Sequence, residues 1–225
     1  MYADTPTRRW TLRVVTPALA AVVALVALFL SPWTNSASAH GSIVDPAGRA
    51  YGCWDRWGDD HMNPAMEQED PMCWQAFQEN PNTMWNWMSL FQENLAGNWQ
   101  SAISDGNLCS AGDAQGGLAS SLDTVGPWTT TDISNDFSVH LYDTASHGAD
   151  FFEVYVTKQG FDPTTDALGW GDLELVETTG SYPPASDITF DVSAPGRTGN
   201  HIVYTIWQAS HLDQTYFICS DVNFG

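Results

Sequence analysis

Ala37-Ser38-Ala39-His40 sets a histidine directly behind a small-residue triplet of the kind that signal peptidase cuts. Cleavage after Ala39 makes His40 the first residue of the exported chain. It then offers a free α-amine beside the two nitrogens of its ring, whereas a histidine inside a chain offers the ring alone. His147, in Thr144-Ala145-Ser146-His147-Gly148, a turn just after an alternating segment, is a candidate second nitrogen ligand, although composition and spacing alone do not rank it above the other histidines. Functional side chains collect on loops at the ends of a rigid scaffold. The amine, one ring nitrogen of His40 and one of His147 make three nitrogens. A tetragonal nitrogen set suits copper, which tops the divalent affinity order. The metal displaces the amine proton, so the amine ligates at neutral pH. The other histidines read more plainly. His140 shares an outward face with Ser138, and His201 opens a strand. His61 lies among Asp59, Asp60 and Met62 and reads as solvated. His211 reads as structural or as support for a ligand.

These residues need an exported scaffold, and the leader fits one. Arg8, Arg9 and Arg13 form a basic start, Val14 to Leu30 is almost wholly apolar, and Ser31 to Ala39 is small and polar. An apolar run of that length is near the lower limit for a membrane span, and an anchor has no need of the A-x-A site. Residues 1–39 are therefore expected to be a signal peptide and 40–225 the working domain. Thr7 to Arg13 also resembles a twin-arginine signal, but the strong apolar run favours the general secretory route. The whole chain carries a net charge of −20. Removing 1–39 takes three of the seven basic residues and one of the 27 acids, which leaves −22. Such a surface repels nucleic acid phosphates, anionic membranes and acidic glycans. It suits a soluble, secreted, extracellular monomer with a neutral partner.

The exported 186 residues are enough for one filled core, and no linker divides them. Cys53, Cys73, Cys109 and Cys219 are an even set in an exported chain, which reads as two disulfides. Of the three possible pairings the favoured one joins Cys53 to Cys73 and Cys109 to Cys219. From about Tyr51 to Trp128 the chain is rich in Gly, Pro, Asn, Asp and Trp with little periodicity. Short helical turns are expected over Pro64–Glu69, Pro71–Gln78 and Asn82–Asn94. Strands are expected at Ser42–Val44, Phe137–Tyr142, Phe151–Thr157, Leu173–Thr178, Asp187–Val192, His201–Gln208 and Thr215–Asn223. Seven short strands separated by turn residues predict an all-β fold, an immunoglobulin-like or fibronectin type III-like sandwich. The long segment after the first strand is then a loop-rich, partly helical insertion. A loop of that length in a compact domain is usually functional.

Five segments in order carry a resemblance to a known family. They are His40-Gly41-Ser42-Ile43-Val44-Asp45-Pro46; Asn82 to Trp87; Ala145 to Asp150; Tyr204 to His211; and Asp213 to Val222. The chain resembles, through essentially all of 40–225, the bacterial lytic polysaccharide monooxygenases of auxiliary activity family ten. The match is to the cellulose-active type of what was formerly chitin-binding protein family 33. The resemblance implies one copper ion per chain, held in a histidine brace by His40 and His147. It implies an aromatic residue at the axial position of copper. The family usually has Phe there; Tyr216 is the matching residue, with Phe217 beside it. Ala145 matches an alanine near the other axial side. Gln214 falls where relatives place Glu or Gln close to copper, a position from which to hydrogen-bond a bound oxygen species.

The implied activity is oxidative cleavage of glycosidic bonds, driven by an external electron donor with dioxygen or hydrogen peroxide. Hydrolysis needs two carboxylates flanking the scissile bond, and no pair of acids here has that context. The implied substrate is a crystalline neutral polysaccharide, cellulose first and chitin second, oxidised at carbon 1 and additionally at carbon 4. A flat substrate asks for an aromatic-bearing surface rather than a pocket. Trp85, with Asn82 and Asn86, is the expected contact; Trp54, Trp57, Trp74 and Trp207 are expected inside. Two rival readings are a non-catalytic carbohydrate-binding protein and a secreted copper carrier. The first would yield no oxidised sugar ends, and the second would be indifferent to loss of Trp85.

Overall fold

Period-two alternation gives a strand one face for a core and one for water, and the 137–142 segment follows that rule. The computed structural model describes residues 40–225; the expected leader, 1–39, lies outside the described residues. Strand β4 (Asp136–Asp143) buries Val139 and Leu141 and turns Ser138, His140 and Tyr142 outward. It pairs antiparallel with β1 (Gly41–Asp45) and with β7 (Asp187–Ser193), whose Ile188, Phe190 and Val192 face the same core. This three-stranded sheet faces a larger one. The second sheet runs β2 (Phe91–Glu93), β9 (Gln214–Phe224), β8 (Gly199–Ala209), β5 (Ala149–Thr157), β6 (Leu173–Thr178). A further strand, β3 (Thr131–Ile133), joins β9 in parallel at the end opposite β2. The fold is the expected β-sandwich.

All seven expected strands form, each within two residues of the expected ends. The short β2 and β3 were not expected. Their three residues carry no alternation, and the open edge of β9 supplies the hydrogen bonds that make them strands.

The β8–β9 hairpin is buried on both faces, and the reason is visible in its alternation. Val203, Trp207, Tyr216, Ile218 and Val222 pack with Ile43, Val139, Leu141 and Phe152 between the sheets. Ile202, Tyr204, Ile206, Phe217 and Cys219 point the other way, into a second core built with the insertion. The insertion supplies Met66, Met72, Met84, Trp87, Leu108 and Leu122 to that core. It covers what would otherwise be a wet sheet face.

Helical pieces of the insertion are α1 (Arg49–Trp57), α2 (Met66–Glu69), α3 (Pro71–Glu79), α4 (Asn82–Trp85), α5 (Trp99–Ala102) and α6 (Ala114–Gly117). Pro71 opens α3, where its missing N–H costs nothing. The turn expected over 82–94 stops at Trp85, because residues 91–93 are taken by the sheet edge. The helix α1 was not anticipated: Gly52 lowers its propensity and its N-terminus has no side-chain cap. Tertiary bonds hold it instead. Disulfide Cys53–Cys73 ties α1 to α3, and Cys109–Cys219 ties the insertion to β9. Arg49 in α1 donates two hydrogen bonds to Asp221 in β9, at 2.7 and 2.9 Å, and a third to the carbonyl of Leu122 at 2.6 Å. Its guanidinium also lies 4.7 Å from the centre of the Trp128 ring.

Candidate metal centre

Strand β4 ends in Asp143, which is fully buried, and the chain then winds through a tight turn to His147. Ser146 and Gly148 both have positive φ, at 56° and 76°. Only glycine fits at 148, because a Cβ there would sit 2.7 Å from the carbonyl oxygen of Tyr182. The Asp143 carboxylate organises the turn. It accepts the backbone N–H of Ala145 at 3.0 Å and that of His147. The Nδ1 of His147 lies 3.2 Å from both carboxylate oxygens. A carboxylate only accepts, so Nδ1 carries the proton and Nε2 keeps its lone pair. His147 itself is 9% exposed. Its carbonyl accepts from Ser210 Oγ at 2.7 Å, and its ring stacks on that of His211.

His40 arrives beside this turn through strand pairing. Gly41 is in register with Asp143. The carbonyl of His40 accepts from the backbone N–H of Thr144 at 2.9 Å and from its hydroxyl at 2.7 Å. His40, the expected amino terminus of the exported chain, is thereby hydrogen-bonded to the turn that carries His147. The N–H of Gly41 donates to Met88 O at 3.2 Å, which fastens the 82–88 segment to the same end of the sandwich.

The remaining expected residues divide into those that reach this end and those that do not. Tyr216 is fully buried and stacks on Trp207, with ring centres 4.4 Å apart. Burial first, then the charges of Asp143 and Glu93, push its phenol well above the usual tyrosine range, so it is neutral. Phe217 does not stand beside Tyr216 at the site. Strand alternation sends it to the opposite core, stacked on Tyr204. Gln214 is buried at the start of β9, and its amide donates to Glu93 at 2.7 Å. Ala145 is exposed on the turn. Trp85 is 39% exposed at the end of α4, while its neighbours Thr83, Met84 and Trp87 are buried. Asn82 is exposed; Asn86 is half-buried and donates from its side chain to the carbonyl of Asn82. Trp207 is fully buried as expected, while Trp54, Trp57 and Trp74 are only partly so, packed against the insertion core.

Sequence reasoning missed two supporting acids and misread a histidine. Asp143 is four residues before His147 at a strand end, a spacing that was available as a signal. Glu93 gave none, because β2 was not anticipated. His61 is not simply solvated: its ring packs against Phe77 and edge-on against Trp85. His140 is half-buried and pairs with Asp187 at 3.1 Å. His201 is buried with Nδ1 2.9 Å from Thr157 Oγ1, and burial lowers its pKa.

Among the described residues no three His, Cys, Asp or Glu side chains converge as a metal-binding group. With the leader removed as expected, the α-amine of His40 would be a further nitrogen donor at this end. His147 fits a nitrogen-ligated metal: its Nδ1 edge is spoken for by Asp143, and Nε2 is the nitrogen left to ligate.

Known proteins share this fold. The family model described as "Lytic polysaccharide mono-oxygenase, cellulose-degrading" matches residues 40–222. A solved lytic polysaccharide monooxygenase from Kitasatospora papulosa is 62% identical, with a TM-score of 0.82 over 83% of this chain and 98% of that one. The cellulose-active monooxygenase CelS2, solved in complex with copper, is 29% identical with a TM-score of 0.71 over 83% of this chain and 99% of that one. A lytic cellulose monooxygenase from Streptomyces ambofaciens is 32% identical over 204 residues, 84% of this chain and 54% of that protein. The chain spans about half the length of the curated relatives that it matches most strongly.

Proposed function

Because the chain belongs to the lytic polysaccharide monooxygenases of auxiliary activity family ten, we propose that it cleaves crystalline cellulose oxidatively, and chitin as a second substrate. On this reading residues 1–39 are removed during export, and the extracellular protein begins at His40 and works as a monomer. His40, through its amine and ring, and His147, through Nε2, hold one copper ion. When bound, the ion supplies one-electron redox chemistry toward dioxygen or hydrogen peroxide, with electrons from an external donor. The observation that carries the proposal is the orientation of His147, whose Nδ1 is fixed by buried Asp143. It is supported by the hydrogen bonds that join His40 to the same turn.

The chain's own residues prepare the rest of the chemistry. Neutral Tyr216 presents a phenol, not a phenolate, toward the charges of Asp143 and Glu93. It therefore adds a hydrogen-bonding group to the site without adding negative charge. Gln214 has its amide N–H turned to Glu93, which fixes the orientation of its side chain at this end of the sandwich. Trp85 offers a ring face to a sugar ring, and Asn82 and Asn86 flank it with amides for hydroxyl groups. The cleaved chain's net charge of −22 leaves a neutral glycan unhindered and disfavours acidic ones. Attack on sugar C–H bonds at carbon 1, and additionally at carbon 4, is the proposed regiochemistry.

Mass spectrometry of products from the form that begins at His40 tests this. With cellulose, copper and a reductant, aldonic acids mark oxidation at carbon 1 and 4-ketosugars mark carbon 4. Absence of both from cellulose and from chitin removes the enzymatic reading and leaves the protein as a binder or a copper carrier.

A further inference from the structure

We propose that His211 is a positioning residue for His147: its ring, stacked on the face of the ligand imidazole, fixes the plane of that imidazole before metal binds. The inference rests on the reading of His147 as a ligand and adds a residue to its machinery.

Two torsions connect an imidazole to its backbone, and the outer one has a broad well. Asp143 restrains the edge of the His147 ring, but its two oxygens are equally distant from Nδ1, both at 3.2 Å. A bond shared in that way tolerates a swing of the ring. What it lacks is a restraint on the face, and His211 supplies one. The two ring centres are 3.9 Å apart and the planes are 29° from parallel. That is the shortest ring-to-ring separation among the described residues, and shorter than the usual range of about 4.5–7 Å for aromatic pairs.

A clamp works only if its own base is firm. His211 sits in the 210–213 turn between β8 and β9, and that turn is held from several sides. Ser210 Oγ donates to the carbonyl of His147 at 2.7 Å, so the turn grips the ligand residue by its backbone as well as its ring. Asp213 accepts from the backbone N–H of Asn94 at 2.9 Å through its carbonyl, and from that of Ala96 at 3.0 Å through its carboxylate. Gln214 N donates to Leu212 O at 2.8 Å. Both Asn94 and Ala96 have positive φ, so Asp213 also stabilises a backbone stretch that is uncommon for residues with a side chain. His147 is thus bounded on its edge by β4, on its face by the β8–β9 turn, and through that turn by the insertion.

The proposal separates the stacking ring from the imidazole chemistry of His211. A phenyl ring at 211 keeps the face contact; alanine and glutamine remove it. The test uses the form that begins at His40, in wild type and as His211→Ala, His211→Gln and His211→Phe. Copper(II) affinity is read by competition with a chelator, and the copper site by electron paramagnetic resonance. Mobility of the His147 ring is read without metal by nuclear spin relaxation. The expected result is that Ala and Gln each weaken copper binding about tenfold, in the range for outer partners of a ligand histidine. They also alter the resonance parameters and loosen the ring in the metal-free protein. His211→Phe stays close to wild type in all three. Wild-type affinity in His211→Ala and His211→Gln overturns the clamp, and so does a His211→Phe variant as weak as His211→Ala. The metal-free relaxation arm keeps the clamp testable on its own: a wild type that binds no copper refutes the ligand reading, while a His147 ring equally rigid in all four proteins refutes the clamp.

Discussion

Replacing Asp143 perturbs the centre without touching a ligand. Its carboxylate is fully buried and accepts the backbone N–H groups of Ala145 and His147 and the ring N–H of His147. In Asp143→Ala the exposed N–H of Ala145 finds water, but that of His147 is buried. One orphaned buried donor costs about 1–3 kcal/mol of folding stability. Copper affinity falls through a separate route, because nothing then selects the Nδ1-protonated tautomer of His147 or holds its edge. Loss of an outer partner of this type costs roughly 10–100-fold in metal affinity, about 1.4–2.7 kcal/mol. Asp143→Asn keeps one oxygen to accept but turns an N–H₂ toward a donor, so it falls between wild type and Asp143→Ala. Urea unfolding of the metal-free protein and competition titration with copper(II) measure the two losses independently. An Asp143→Ala variant that folds and binds copper within about threefold of wild type refutes the reasoning.

Other expectations concern the scaffold and the surface. Arg49→Ala strands the buried Asp221 carboxylate and is expected to cost about 3–5 kcal/mol, whereas Arg49→Met with Asp221→Leu recovers most of it; equal losses in the two proteins, by urea unfolding, contradict the assignment. Burial pushes the Asp123 carboxyl up to about 6 despite its bonds from Ser110 and Cys109. The folded protein then holds a proton that the unfolded chain has lost between about pH 4 and 6, so this group's contribution to stability falls as pH rises through that window. Asp123→Asn is expected to gain about 2–3 kcal/mol over wild type near pH 8, and to lose that gain near pH 4; a pH-independent difference rejects it. Trp85→Ala is expected to weaken adsorption to crystalline cellulose about tenfold, since stacked rings on bound surfaces are worth about 1–2 kcal/mol, while copper affinity is unchanged; unaltered adsorption removes Trp85 from the contact surface.

Much of this was legible in the chain because strand periodicity is local. Phe137 to Tyr142 and Asp187 to Val192 declare their faces residue by residue, and the β-sandwich follows. His40 and His147 were nominated from local signals, a cleavage site and a strand-end turn, and were paired through the family resemblance; the structure sets both at the same end of the sandwich. What was not legible is set by contacts distant in sequence. The segment Phe91–Glu93 is a strand only because β9 has an open edge there, and Glu93 meets Gln214 only through that pairing. The helix α1 depends on Asp221, 172 residues away from Arg49. Phe217 was placed by adjacency to Tyr216, while alternation sends neighbours on a strand to opposite cores. His61 was read from its charged neighbours, although its ring partners, Phe77 and Trp85, lie well along the chain.

The most direct test adds a single alanine before His40 in the exported form and titrates copper(II) against a competing chelator. The extra residue turns the His40 amine into a peptide nitrogen and leaves every side chain in place. Affinity is expected to fall by more than about 100-fold, since an inner donor counts for more than the outer partners whose loss costs about 10–100-fold. An unchanged isotherm would contradict a centre built on the amino terminus.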